Sequence, residues 1–282
     1  MYKTKTSRIL SFMLAVIICA VSVCAGTSLI TPSHAAVSRM SYVNRFVTRM
    51  TGFGYTTTVR KDSGRFLDIS KYQGNVNFGK LKNSGVSGVI MRASYGTTPD
   101  SRFSENAAKA EAAGVEYGVY QFATWHYGTN KLQAMFQAQQ QALYLISQLS
   151  GKSVNGFVVL DMELERGAEL KMSKADLTDV CNYYLRLIAR AGYKPMLYTF
   201  ASFLTDRLNA ESINYPMWIA YIYPSANGVI PNTAYGKVLK SLGNKLFFWQ
   251  YTWSGNGKNY GISGRVDTNY LYRSFTGKRG LV

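Results

Sequence analysis

From residue 65 onward the sequence is a succession of short apolar, β-branched or aromatic runs, at 66–70, 88–93, 117–122, 157–162, 195–199, 217–222, 246–251 and 266–270. Such runs read as strands. Helical stretches separate several of them: 103–113 stopped by Gly114, 130–149 stopped by Gly151, and 174–191 stopped by Gly192, with Ser173 as N-cap. Strands alternating with glycine-stopped helices point to a parallel sheet, because parallel neighbours need a long crossover between them. Eight strands in about 215 residues predict one closed β/α barrel rather than an open sheet with a second domain. Connections between the last three strands are too short, or too rich in Gly, Pro and Asn, for full helices, so the barrel should be irregular on that side. Composition excludes little more. With 282 residues, 47% hydrophobic and 14% aromatic, the chain can bury a core and is neither a disordered tail nor a disulfide mini-protein. Taken alone it leaves α/β, all-β and two-domain arrangements open.

The amino-terminal 35 residues have a different logic. Lys3, Lys5 and Arg8 precede an apolar stretch from residue 9 to about 30, followed by Ser33-His34-Ala35. That is the order of a secretory signal cleaved after Ala35. At roughly 20 apolar residues it is also long enough to be an uncleaved membrane anchor. Residues 36–63 carry Arg39, Arg45, Arg49, Arg60 and Lys61 without a sustained period and read as a basic linker, or as a short membrane-hugging helix over 42–50. Residues 64–282 are then the main domain. Cys19 and Cys24 lie in the targeting segment, so Cys181 is the single cysteine of an exported product and no internal disulfide is possible. Cys181 sits in a helix-like run and reads as a buried apolar residue. The formal charge is +17 for the whole chain, three less without the segment, which points to anionic partners.

The chemistry candidates are acids. Asp68 stands inside Phe66-Leu67-Asp68-Ile69-Ser70, near the end of its run, and Asp161 and Glu163 end Phe157-Val158-Val159-Leu160-Asp161-Met162-Glu163. Residues two apart in a strand share a face, so Asp161 and Glu163 project together while Met162 points away. In a barrel of this type, strand carboxyl ends carry the active site. Two carboxyls in one partly desolvated cleft do not both ionise easily, and the one that keeps its proton can donate it, as glycosidic cleavage requires. Asp267 adds an acid from the last strand. Acids at strand ends are also common as plain solvated loop residues, and the run Phe247 to Trp253 suits either a core or a surface for stacking on sugars. Two histidines, His34 and His126, leave no three-histidine metal site, and no His-Glu-x-x-His run exists. Ser150-Gly151-Lys152-Ser153 follows a helix and lacks the earlier glycine of a phosphate loop, so it reads as a helix stop. His126 reads as a loop residue rather than a general base.

These pieces together resemble glycoside hydrolase family 25, the Chalaropsis-type lysozymes. The resemblance rests on Asp68-Ile69-Ser70 with Tyr72-Gln73-Gly74, Val89-Ile90-Met91-Arg92-Ala93, Phe103-Ser104-Glu105-Asn106, Gly118-Val119-Tyr120, Leu160-Asp161-Met162-Glu163, Gly192-Tyr193-Lys194-Pro195 with Leu197-Tyr198-Thr199, Trp218-Ile219-Ala220, Phe248-Trp249-Gln250-Tyr251 and Gly261-Ile262-Ser263-Gly264-Arg265-Val266-Asp267. It implies a flattened, irregular, TIM-like barrel and an N-acetylmuramidase needing no cofactor or metal. It further implies Glu163 as general acid, with Asp161 steadying an intermediate formed by the substrate's own acetamido group. Asp68 and Asp267 would complete the acidic cleft, and Tyr120, Tyr198, Trp218, Trp249 and Tyr251 would line the sugar subsites. Two positions depart from the family pattern. Gln121 stands where the family often has His, and Tyr95 where many members have Glu. The partners implied are peptidoglycan glycan strands, with anionic wall polymers or a membrane surface as secondary attractors for the basic charge, and the expected state is a secreted or wall-associated monomer. A catalytically idle wall-binding module, a chitinase and, least favoured because no nucleic-acid motif is present, a nucleic-acid binder are the alternatives.

Overall fold

A computed structural model of the chain describes residues 64–163, 171–223 and 228–272. The targeting segment at 1–35, the linker at 36–63 and its alternative helix fall outside the described residues. Eight strands close a barrel: β1 (Gly64–Ile69), β2 (Gly88–Tyr95), β4 (Tyr117–Phe122), β5 (Phe157–Asp161), β6 (Lys194–Phe200), β7 (Met217–Ala220), β8 (Leu246–Asn256) and β9 (Arg265–Leu271). A two-residue strand, β3 (Thr98–Pro99), folds back on the end of β2 and stands outside the ring. Neighbours run in the order β1-β9-β8-β7-β6-β5-β4-β2, and pairing of β1 with β2 closes the ring. The sheet is not wholly parallel as the alternation suggested, because β9 runs antiparallel to both β8 and β1. Its cause is local: β8 and β9 are joined by a 3-10 turn at Gly257–Tyr260, a connection that can reverse a chain but cannot carry it back for a parallel pairing.

The strands of the ring have two buried faces over most of their length, the condition for a barrel wrapped in helices. Phe66, Ile90, Tyr120, Phe157, Val159, Met196, Tyr198, Trp218, Phe248 and Leu271 pack inside the ring. Leu67, Val89, Met91, Val119, Val158, Leu160, Leu197, Ile219 and Trp249 pack outward against the helices. The helices are α1 (Phe78–Asn83), α2 (Phe103–Ala113), α3 (Lys131–Gln148), α4 (Lys174–Arg190), α5 (Ala201–Arg207) and α6 (Ala234–Ser241). The caps follow from the sequence. Asn130 and Gln133 form a capping box at the start of α3, Ser173 Oγ accepts from Asp176 N at α4, and Gly114 ends α2 at φ 63°. Cys181 is buried on α4, as its neighbours implied.

One connection was misjudged. The stretch between β7 and β8 does hold a short helix, α6, because its Pro and Asn residues lie outside the helical turns and only Gly236 falls within them. Thr233 Oγ1 caps it by accepting from Gly236 N at 3.1 Å. Gly236 itself is required by crowding, since a Cβ there would stand 1.9 Å from the Pro231 carbonyl oxygen.

Candidate active site

Strand alternation fixes what the barrel mouth contains. Counting inward positions, β1 delivers Asp68, β2 Arg92, β4 Tyr120 and Phe122, β5 Asp161, β6 Tyr198, β8 Gln250 and β9 Asp267 and Asn269. Asp68 and Asp267 are directly opposed in the β1–β9 register, and Phe122 stands beside Asp161 in the β4–β5 register. The reversed direction of β9 matters here. Asp267 is only its third residue, yet it reaches the same rim as the carboxyl ends of the parallel strands.

Two buried amides hold the Asp68–Asp267 pair. Gln250 Nε2 donates to Asp68 Oδ2 at 3.1 Å and to Asp267 Oδ2 at 3.2 Å, while its Oε1 accepts from the Tyr198 hydroxyl at 2.8 Å. Asn269 Nδ2 donates to Asp68 Oδ2 at 2.8 Å, and its Oδ1 accepts from Trp218 Nε1 at 2.8 Å. An indole nitrogen can only donate, so the Asn269 amide is oriented without ambiguity. Asp68 Oδ2 thus receives two N–H donors and Asp267 one. Burial pushes Asp68 up to about 6, its donors opposing the rise, while burial and the Asp68 charge push Asp267 up to about 8. At neutral pH the pair therefore keeps one proton, on Asp267, facing an ionised Asp68.

Asp161 and Glu163 form the second acidic pair. Asp161 is buried and its carboxyl is raised well above the ordinary range, first by burial and then by the charges of Glu163 and Asp68, with Arg92 opposing. Glu163 lies further out, half-buried, and its backbone carbonyl is held by His126 Nε2 at 2.8 Å. A carbonyl can only accept, so His126 carries its proton on Nε2. Burial lowers the imidazole to about 4, which keeps it neutral. His126 is thus a loop residue, as expected, and not a base, but it anchors the backbone of Glu163. Nothing in the sequence signalled that contact, made across 37 positions.

The expected subsite aromatics divide. Tyr120, Tyr198 and Trp218 lie inside the ring, and the charges of Asp68 and Asp161 act on both tyrosine hydroxyls. Trp218 is 2% exposed and supports Asn269 more than it presents a face. Trp249 and Tyr251 are not brought to the acids. They point to the other side of β8 from Gln250, where Tyr251 stacks on Tyr270 at 4.3 Å and Trp249 Nε1 donates to the Tyr221 carbonyl at 2.7 Å. Gln121 also faces outward, its amide donating to Ser94, Gly96 and Gln141 and its oxygen accepting from Tyr184. That departure from the family pattern concerns packing, not the cleft. Tyr95 does reach the rim. A register shift between Arg92 and Ser94 turns it inward, where it stacks on Phe122 at 4.8 Å with the rings 12° apart. This aromatic pair beside Asp161 was missed, because a bulge leaves no mark on the hydrophobic pattern.

A closed β/α barrel with four carboxyls, two aromatics and an arginine at its carboxyl-terminal mouth is the architecture of a carbohydrate-cleaving enzyme class. Residues 67–260 match the sequence model of Glycosyl hydrolases family 25, and the chain belongs to that family. It is 29% identical over 210 residues to lysozyme M1 of Streptomyces globisporus, across 72% of this chain and 66% of the relative. It is 26% identical over 202 residues to the autolytic lysozyme of Clostridium acetobutylicum, across 71% of this chain and 53% of the relative. The chain thus spans between about half and two thirds of these relatives' length. Among solved structures, the CTP1L endolysin matches with a TM-score of 0.58 at 31% identity, over 74% of this chain and 66% of that one. The bacterial lysozyme from Streptomyces coelicolor matches with a TM-score of 0.55 at 26% identity, over 77% and 94%.

Proposed function

We propose that the protein is an exported peptidoglycan hydrolase that cleaves the β-1,4 bond between N-acetylmuramic acid and N-acetylglucosamine, with Glu163 as general acid. The observation that carries this is the Asp161–Glu163 pair at the end of β5, one carboxyl buried and held well above the ordinary range, the other half-buried beside it. The two carboxyls interact directly. An acetamido N–H approaching Asp161 would favour its ionised form and so move the shared proton to Glu163, beside the glycosidic oxygen. Asp161 then steadies the acetamido group as it attacks the anomeric carbon, and Glu163 protonates the leaving sugar and afterwards takes a proton from water. Asp68 places negative charge under the developing oxocarbenium ion, and Asp267 and Gln250 hold Asp68 in place.

Peptidoglycan as substrate is supported by the family and by relatives named as lysozymes. Export is supported by the amino-terminal pattern, and no helix among the described residues is long and apolar enough to cross a membrane. The basic charge would hold the enzyme to anionic wall polymers by an attraction that salt weakens.

The test is to incubate the purified 282-residue chain with peptidoglycan, reduce the products with borohydride and identify the new ends by mass spectrometry. Reduced muramic acid ends, absent with Glu163→Gln of unchanged fold, are the expected result. Reduced glucosamine ends would mean a different bond is cut, and bound glycan without new ends would mean a wall-binding module. Near-normal turnover by Glu163→Gln would mean another acid donates the proton.

A further inference from the structure

The acid cleft has a basic corner that the scheme above does not use. Immediately after Asp68, Ser70 and Gln73 form a capping box around the 3-10 turn Lys71–Gln73, so the turn is rigid. Buried Asp100 then ties that turn to β2: its Oδ2 accepts from Lys71 N at 3.0 Å and from Arg92 Nε at 2.8 Å, and its Oδ1 accepts from Arg102 N at 3.0 Å. The consequence is that two cations share one aromatic ring. Arg92 Cζ lies 5.0 Å, and Lys71 Nζ 5.4 Å, from the centroid of Tyr72, which is 76% exposed.

Arg92 points inward on β2 beside Tyr120, and its side chain is only 13% exposed. Asp100 takes its Nε and leaves the two Nη groups, the fork that matches a carboxylate, unengaged by the described residues. If Arg92 served only to offset the charge of Asp161 and Asp100, a second cation on the same ring would add repulsion without purpose. A neutral glycan offers such a corner hydroxyl and carbonyl acceptors but no charge to match the two cations. A muramic acid residue does, because its lactyl ether ends in a carboxyl, either free or carrying a peptide with carboxylates of its own.

We propose that Lys71, Arg92 and Tyr72 form a preorganised receptor for a carboxylate on the lactyl branch of the glycan, and so select branched glycan over chitin. This rests on the muramidase reading and adds to it the group that is recognised.

Lys71→Met is the informative variant, since the side chain is exposed and its backbone keeps the bond to Asp100. Lys237→Met, on exposed α6, controls for loss of one charge anywhere on a basic protein. For the full chain, KM is measured on peptide-bearing glycan and on the same glycan stripped to its free lactyl carboxylate. A chitin oligomer serves as neutral competitor, and its inhibition constant needs no turnover. An exposed charge pair of this kind corresponds to roughly threefold to fivefold. The expected result is that the ratio of KM on branched glycan to the chitin inhibition constant rises about threefold in Lys71→Met, with kcat little changed, while Lys237→Met leaves the ratio at the wild-type value. A rise confined to the stripped glycan assigns the lactyl carboxylate, and one confined to the peptide-bearing glycan assigns the peptide. A ratio in Lys71→Met equal to that in Lys237→Met on both glycans overturns the proposal, even though cleavage by the wild type would still support the muramidase reading. Failure of the wild type to cut either glycan would remove that reading and the receptor with it.

Discussion

Replacing Asp267 by asparagine should make the protein more stable at alkaline pH, by an amount that the acid pair sets. Asp267 is held at about 8 against an ordinary value of 3.8. Its folded-state value is raised, so between those two limits the folded protein keeps a proton that the unfolded chain has released. Stability therefore falls as pH rises from about 4 to about 8, by about 1.4 kcal/mol for each pH unit crossed. The full span corresponds to a ceiling of about 6 kcal/mol, and since Asp68 shares the proton the pair should deliver less. Asparagine has nearly the same shape, does not ionise and can donate its amide to Asp68 in place of the shared proton. The stability of Asp267→Asn relative to wild type should rise by about 2–4 kcal/mol between pH 5 and pH 9, or about 5–10 °C in Tm for a domain of this size. Thermal unfolding followed by circular dichroism at pH 5, 7 and 9 in constant salt measures it. A difference independent of pH, or one that shrinks toward pH 9, would refute the assignment of the proton to Asp267.

Gln250→Leu removes three buried hydrogen bonds at once and leaves the Tyr198 hydroxyl without its acceptor; it should cost roughly 2–4 kcal/mol in urea unfolding and lower kcat, and an effect below about 0.5 kcal/mol would mean the amide does not bear on the pair. Gly236→Ala drives a methyl into the Pro231 carbonyl and should cost about 2 kcal/mol while sparing the pH dependence of activity, because α6 is remote in function from the acids; unchanged denaturation would show that the lead-in to α6 yields freely.

Where the sequence was readable, the local signals agreed with one another. Helix α2 coincides with its expected span because a polar start, a run of alanines and Gly114 at positive φ all mark the same element. Strands β4 and β5 were legible because a strand packed on both faces is a continuous apolar run, and the acid that ends such a run must be at its mouth. What failed were features decided by tertiary pairing. The inward turn of Tyr95 depends on a bulge opposite β4, and the outward turn of Trp249 depends on the phase of β8. That phase is disturbed at its start: Met217 pairs with Leu246 but Trp218 pairs with Phe248, so Phe247 is an extra residue. Both Phe247 and Phe248 consequently pack inside the ring, and aromatic content could not reveal on which side the next tryptophan would fall.

The reversal of β9 shows why pairing, and not composition, makes the acidic site. In a fully parallel barrel the third residue of the last strand would sit near the amino-terminal end, a barrel's depth away from Asp68. Because the Gly257–Tyr260 turn is too short for a crossover, β9 must return antiparallel, and its third residue meets the second-from-last position of β1 with Cα atoms in register, Asp68 opposite Asp267. The two positions that follow inward on β9 and β8, Asn269 and Gln250, then fall where their amides can reach Asp68. A pair of carboxyls forced together this way repel unless a proton stays between them. The stability lost to that arrangement is the quantity that Asp267→Asn would recover, so the pH dependence of unfolding reads the topology of the last strand directly.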